Sequence, residues 1–196
     1  FKDNTKGALK LEPQRSNLVS TSETLSGYWS ASGATIENTN IISPDGTENV
    51  KSVKTSSNGP YQGILRNEAS AFSNKTLTIS TFAKKSNNDY IFFYNIGGAN
   101  GNQGVWFNIN NGTIGTNLSG WTNTKIEDYG NGWFRCSSTL TYDASGTDYL
   151  YIQNANSDDT IYSDINQETY IWGTQVEEGS YATSYIPTSG QANGVT

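Results

Sequence analysis

The chain has 196 residues, enough for one domain with a sizeable core and too few for two ordinary ones. Only 34% of them are apolar and 15% charged, yet 12 Tyr, 7 Phe and 5 Trp supply the bulk that disordered chains lack, so the chain is expected to fold. A formal net charge of −6 with no block of like charge excludes the basic stripes that nucleic acid and anionic membranes reward, and no stretch approaches the roughly 20 apolar residues of a membrane span.

Apolar alternation with period two recurs along the chain, and a sustained period of 3.6 does not. Strands are expected over residues 17–21, 49–55, 62–67, 77–84, 90–96, 104–110, 124–129, 133–142, 149–154 and 169–177, and short strands with polar breaks predict an all-β sandwich. Pro44-Asp45-Gly46, Asn111-Gly112 and Asn131-Gly132 are turn formers, because Gly and Asn accept positive φ and Pro presets its own. The one helix candidate is the short stretch 68–73. The expected organisation is a tail or extra strand over 1–14, the sandwich over 15–188 and a flexible tail over 189–196. Cys136 is alone, which excludes an internal disulfide and predicts a small buried hydrophobe on a strand.

No histidine is present, so Ser-His-Asp and Cys-His arrangements and His-ligated zinc are impossible. The adjacent carboxylates Glu127-Asp128, Asp158-Asp159 and Glu177-Glu178 cannot share a cleft from one strand, since neighbours there point to opposite faces. No catalytic residue is assigned. A lyase using Tyr with a neutralising Arg or Asn stays open.

Sugar binding asks for aromatic faces that stack on pyranose rings, rimmed by groups that hydrogen-bond hydroxyls. Alternation places Ile79, Thr81 and Ala83 inward, with Ser80, Phe82 and Lys84 on the other face. It likewise buries Val105, Phe107 and Ile109 and turns Trp106 and Asn108 outward, making Trp106 an expected exposed platform. Leu150 and Ile152 point inward opposite Tyr149, Tyr151 and Gln153; burial of Phe134 and Cys136 presents Trp133, Arg135 and Ser137. If these outward faces share one sheet, they assemble a concave ligand face carrying Trp106, Tyr151, Gln153, Arg135 and Lys84, with Asn108 and Tyr94 beside them. Arg135 and Lys84 suit an anionic glycan there, or else an ion pair or a solvated strand face. Trp133 and Trp172 read as packing, Trp29 and Tyr28 as cover for one end of the sandwich, and Tyr61, Gln62 and Trp121 as a second tier.

Four segments in order, Gly7-Ala-Leu-Lys-Leu-Glu-Pro-Gln-Arg-Ser-Asn-Leu18, Pro44-Asp-Gly-Thr47, Gly130-Asn-Gly-Trp-Phe-Arg-Cys136 and Tyr170-Ile-Trp-Gly-Thr-Gln-Val-Glu-Glu-Gly179 followed by Ser184-Tyr-Ile-Pro-Thr188, are spread along the chain from residue 7 to residue 188. Together they resemble a carbohydrate-binding module of marine bacterial polysaccharide-degrading proteins and phage tail proteins. More distantly the pattern is similar to xylan- and glucan-binding jelly rolls with a galactose-binding-like fold. The resemblance implies a jelly roll of two antiparallel sheets, secreted or at the cell surface, lectin-like, and part of a larger multidomain protein. The implied partner is an extracellular polysaccharide, of the algal class. It also implies a structural calcium. Glu23 matches the acidic position after the first strand, Asp45 is the second ligand expected, and Gln175 stands where the related folds carry Asp. The alternatives are a lyase or hydrolase on the same sandwich, or an adhesion domain of a phage tail or cell surface.

Overall fold

The computed structural model describes residues 12–27, 29–67, 72–96, 103–142, 149–190 and 193–194. Within them the strands run in chain order as β1 (Ser16–Asn17), β2 (Ser30–Ser32), β3 (Ala34–Asn38), β4 (Lys51–Thr55), β5 (Gly59–Pro60), β6 (Gly63–Asn67), β7 (Thr76–Lys85), β8 (Tyr90–Ile96), β9 (Gln103–Asn108), β10 (Thr113–Asn117), β11 (Trp121–Gly130), β12 (Trp133–Thr141), β13 (Tyr149–Ala155), β14 (Tyr162–Ser163), β15 (Glu168–Glu178) and β16 (Asn193–Gly194). Most of the helix candidate 68–73 lies outside the described residues, as do Tyr28 and most of the segment 1–14.

Two six-stranded sheets pack face to face. The first has the order β10-β9-β8-β13-β6-β2 and the second β11-β12-β7-β15-β4-β3, with every neighbour antiparallel. Two small ladders, β1 with β16 and β5 with β14, close the ends. The expected β-sandwich of two antiparallel sheets is therefore the fold. Most of the expected strands occupy their expected places, while 17–21 shrinks to Ser16–Asn17, and Asn193–Gly194 pairs with it.

The inner faces meet in one apolar cluster. Ile91, Phe93, Val105, Phe107, Leu150, Ile152 and Ile64 of the first sheet face Leu77, Ile79, Ala83, Cys136, Leu140, Ile171, Val176 and Val53 of the second. Burying each large side chain contributes about 1.5–3 kcal/mol, so this layer is the main source of stability. Trp29 joins the cluster, and so does Trp121, which the sequence placed in the second tier of ligand contacts.

Turn chemistry positions the strands. Asn131 and Gly132 both take positive φ, 52° and 78°, the geometry of a type I′ hairpin turn, and join β11 to β12. A bulge in β15 between Trp172 and Gln175 turns both residues to the outer face, where they oppose Phe82 and Ser80. Gly173 occupies that bulge at φ 59°, and a Cβ there would lie 3.0 Å from the Phe82 ring, so both conformation and space call for glycine.

Candidate functional site

The outer face of the first sheet collects tyrosines. On β13, Tyr149, Tyr151, Gln153 and Ala155 point away from the core, and on β8 so do Tyr90, Phe92 and Tyr94; Tyr151 sits directly opposite Tyr94, and Gln153 opposite Phe92. The Tyr61 ring, from the turn before β6, completes the group at 5.5 Å from the Tyr94 centroid and 5.7 Å from that of Tyr151. Tyr149 extends the row, 6.3 Å from Tyr151. Tyr61, Tyr149 and Tyr151 are half-buried, with ring surface left for a ligand.

Tyr61 holds a left-handed backbone at φ 61°, a conformation that costs an L-residue about 1–2 kcal/mol. Its neighbours hold the turn. The Gln62 amide nitrogen donates to the Pro60 carbonyl at 3.1 Å, and the Tyr61 N–H donates to the Ile161 carbonyl at 3.3 Å. Burial, then the neighbouring Tyr149 and Tyr61 phenols, push the Tyr151 phenol above its ordinary 10.0, so the face stays uncharged through neutral pH. Strands β2, β6, β8, β9, β10 and β13 contain one charged residue, Arg66, opposite the inward Leu150 and 5.6 Å from the Phe72 ring centroid.

Gln153 is the polar group at this face. It is 1% exposed, and its amide oxygen and nitrogen are both buried without a hydrogen-bond partner. An orphaned amide of this kind costs about 1–3 kcal/mol. Gly63 opposite gives it room, for a Cβ there would stand 2.6 Å from the Gln153 Cα.

Trp106 faces this side as expected, but it is not a platform. It is 2% exposed, its indole N–H donates to the Thr160 carbonyl at 2.8 Å, and it packs among Phe92, Tyr94, Leu118 and Ile161. Gly104 makes this possible, since a Cβ there would fall 2.8 Å from the indole ring. Alternation assigns a face and says nothing of what lies over it; here Leu118 and the turn at 160–161 do. Asn108 is also spoken for: its Oδ1 accepts from the Asn110 and Asn111 N–H groups at 3.0 and 3.2 Å and shapes the β9–β10 turn.

Arg135 and Lys84 project from β12 and β7, hence from the outer face of the second sheet, on the far side of the core from Trp106, Tyr151 and Gln153. The expected single face is thus two faces. Lys84 Nζ donates to the Asn131 carbonyl at 2.7 Å. Trp133 and Trp172 are packing residues, as expected, in a smaller cluster with Val50 and Phe82.

The residues expected to hold calcium are each engaged in hydrogen bonds within the protein. The Glu23 carboxylate accepts from Asn49 at 2.7 Å and from the Tyr185 hydroxyl at 3.1 Å. Asp45 folds onto Ser43 and Thr47, and Gln175 Oε1 accepts from the Ile186 N–H at 2.8 Å while its amide nitrogen donates to Glu177. Among the described residues no three acidic or thiol groups gather closely enough to hold a metal ion.

Tyr61 and Tyr149 are the site members that sequence reasoning underrated. The repeat Tyr149-x-Tyr151-x-Gln153 carried the signal for one, and Gly-Pro-Tyr at a strand entrance was the weaker sign of the other.

No protein-family model and no curated protein sequence matches the chain. Among solved structures it is similar to the CBM22-1 xylan-binding domain of Paenibacillus barcinonensis Xyn10C, with a TM-score of 0.51 and 13% identity over 89% of this chain and 100% of that one. It also matches the enzymatically active domain of tailspike protein 4 from bacteriophage CBA120, at 10% identity and a TM-score of 0.48, spanning 83% of this chain and 21% of the tailspike chain. A candidate sugar-binding protein from Bacteroides thetaiotaomicron matches at 13% identity and a TM-score of 0.42, over 83% and 100% of the two chains. At these identities, what the chain shares with the xylan-binding domain is its β-sandwich fold.

Proposed function

We propose that the protein is a non-catalytic module that binds an extracellular polysaccharide on the outer face of its first sheet. The observation that carries this reading is the row Tyr149, Tyr151, Tyr94 and Tyr61 beside the unpartnered Gln153 amide. The half-buried rings of Tyr61, Tyr149 and Tyr151, with the buried Tyr94 beneath them, offer stacking surfaces for successive pyranoses, and the amide offers one donor pair and one acceptor to hydroxyl groups. At 1% exposure Gln153 is reached only when a covering side chain yields to the ligand. Affinity from stacking and a few hydrogen bonds falls in the range of about 4–8 kcal/mol, or millimolar to micromolar.

The face favours a neutral glycan over an anionic one. Its strands present no outward charge among the described residues, and the two cations that suggested an acidic ligand stand on the other sheet. Xylan is the first probe to try, because the structurally similar domain binds it. A binding role in preference to a catalytic one is supported by the lack of histidine and by the engagement of Glu177, whose carboxylate is held by Gln175 and Thr183.

Affinity electrophoresis through gels containing xylan, β-glucan, agarose and alginate tests the proposal, with Tyr151→Ala alongside and reducing-sugar release assayed in parallel. Retardation by a neutral glycan, weakened in the variant and without product, is the expected result. Retardation only by alginate would remove the neutral-glycan reading, and product release would remove the non-catalytic one.

A further inference from the structure

The second sheet carries a buried arginine with no carboxylate partner among the described residues. Arg135 is 4% exposed, and its Nε is buried without a hydrogen-bond partner. Nη2 donates to the Ser80 hydroxyl at 3.0 Å, and the guanidinium carbon stands 5.4 Å from the Phe82 ring centroid. Glu127 lies across the strand pair from Arg135, yet its exposed side chain makes no ion pair with it. A guanidinium held out of water is ordinarily matched by an anion, because desolvation of the charge is otherwise uncompensated.

Arg135 lines a pocket of about 240 Å³. Lys125 adds a second cation at its edge, Ser137 a buried hydroxyl, and Tyr129 and Tyr181, 38% and 42% exposed, stand as two aromatic walls. Glu127 and Glu12 also line it, so its lining is close to neutral, and Glu12 is tied to the Ser184 N–H at 2.9 Å. The cation is at the bottom and ring surfaces are at the mouth.

We propose that this pocket is a second carbohydrate subsite, independent of the tyrosine row on the opposite sheet, and that it takes an acidic sugar unit whose carboxylate or sulfate pairs with Arg135. The oxyanion meets the Nε–H and the free Nη donors in the planar two-bond geometry that guanidinium groups favour, while the pyranose ring lies between Tyr129 and Tyr181. Uronates and sulfated sugars share that chemistry, and the probes separate them.

The test is NMR of the folded wild-type chain, following the Arg135 Nε–H resonance during titration with glucuronic acid and with galactose 6-sulfate. Galactose and inorganic sulfate serve as controls. Saturable shifts with one or both acidic sugars in the millimolar range, at least about tenfold weaker with either control, are expected. Arg135→Gln, which keeps a donor for Ser80, should weaken binding at least about tenfold. If that variant fails to fold, the wild-type titration still decides. The proposal is overturned if neither acidic sugar moves the resonance, if galactose moves it equally, or if sulfate alone binds as tightly as the sulfated sugar.

Discussion

The Phe92 and Trp106 rings stack within 9° of parallel at a centroid distance of 5.3 Å, on the side of the first sheet that faces away from the main core. This pair gives the sandwich a third apolar layer, with Tyr94, Ala155 and the half-buried Tyr61, Tyr151 and Ile161 packed about it. The tyrosine row therefore rests on an aromatic floor.

Trp106→Ala tests that layering. The substitution removes a side chain 2% exposed together with its hydrogen bond to Thr160, so urea unfolding should show a loss of about 3–5 kcal/mol, the range for large aromatic truncations. Glycan affinity of the fraction that remains folded should fall little. A variant as stable as the parent with binding abolished would return Trp106 to the ligand surface.

Tyr61→Gly should do the reverse. Glycine accepts φ 61° without strain, so relief of the left-handed conformation offsets the lost ring contacts and stability should stay within about 1 kcal/mol of the parent. Loss of one stacking surface should weaken glycan binding roughly three- to tenfold, read by isothermal titration with a soluble oligosaccharide of the bound glycan.

The contrast between these two residues marks what was legible in the sequence. Alternation read the faces of β7, β9, β12 and β13 correctly, because burial of Ile79, Val105, Cys136 and Ile152 obeys the two-residue period of the pleat. It could not assign strands to sheets. Arg135 and Gln153 carry the same outward label, and only pairing with β7 or with β8 separates them by the thickness of the core. Strands β2, β3 and β10 escaped notice because each lies at or near a sheet edge with exposed, polar positions, where no apolar alternation is required. Turn chemistry was more dependable, since Asn131-Gly132 reports on its own backbone and on nothing distant.

Acid should destabilise the protein in part through Glu168. Burial alone would raise its carboxyl, but the Ser52 and Ser86 hydroxyls, each donating at 2.5 Å, and the Lys54 charge outweigh it and leave the group below its ordinary 4.5. A depressed folded-state value contributes stability above pH 4.5 that is lost as pH falls through the lower value. Urea midpoints at pH 7, 4.5 and 3 should therefore drop mainly over the last interval, and Glu168→Gln should flatten that drop. An equal slope in the variant would assign the acid limb to other carboxylates, Asp45 first, whose hydrogen bonds from Ser43 and Thr47 depress it in the same direction.

Cys136 should behave as an internal reporter of opening. It is fully buried on β12 between the sheets, and burial pushes its thiol well above the ordinary 9.0. The thiolate is the reactive form, so a thiol reagent at pH 8 meets neither an accessible nor an ionised group in the native fold. Labelling should be complete in urea and undetectable over the same period in buffer. As the chain holds a single cysteine, any native-state labelling measures the opening of one site, and saturating glycan should slow it in proportion to the fraction bound. Cys136→Ser places a hydroxyl where the thiol packs among apolar side chains and should cost about 1–3 kcal/mol. Rapid labelling of the native protein, with Cys136→Ser as stable as the parent, would mean that the two sheets separate readily at β12 and that the core is not closed there.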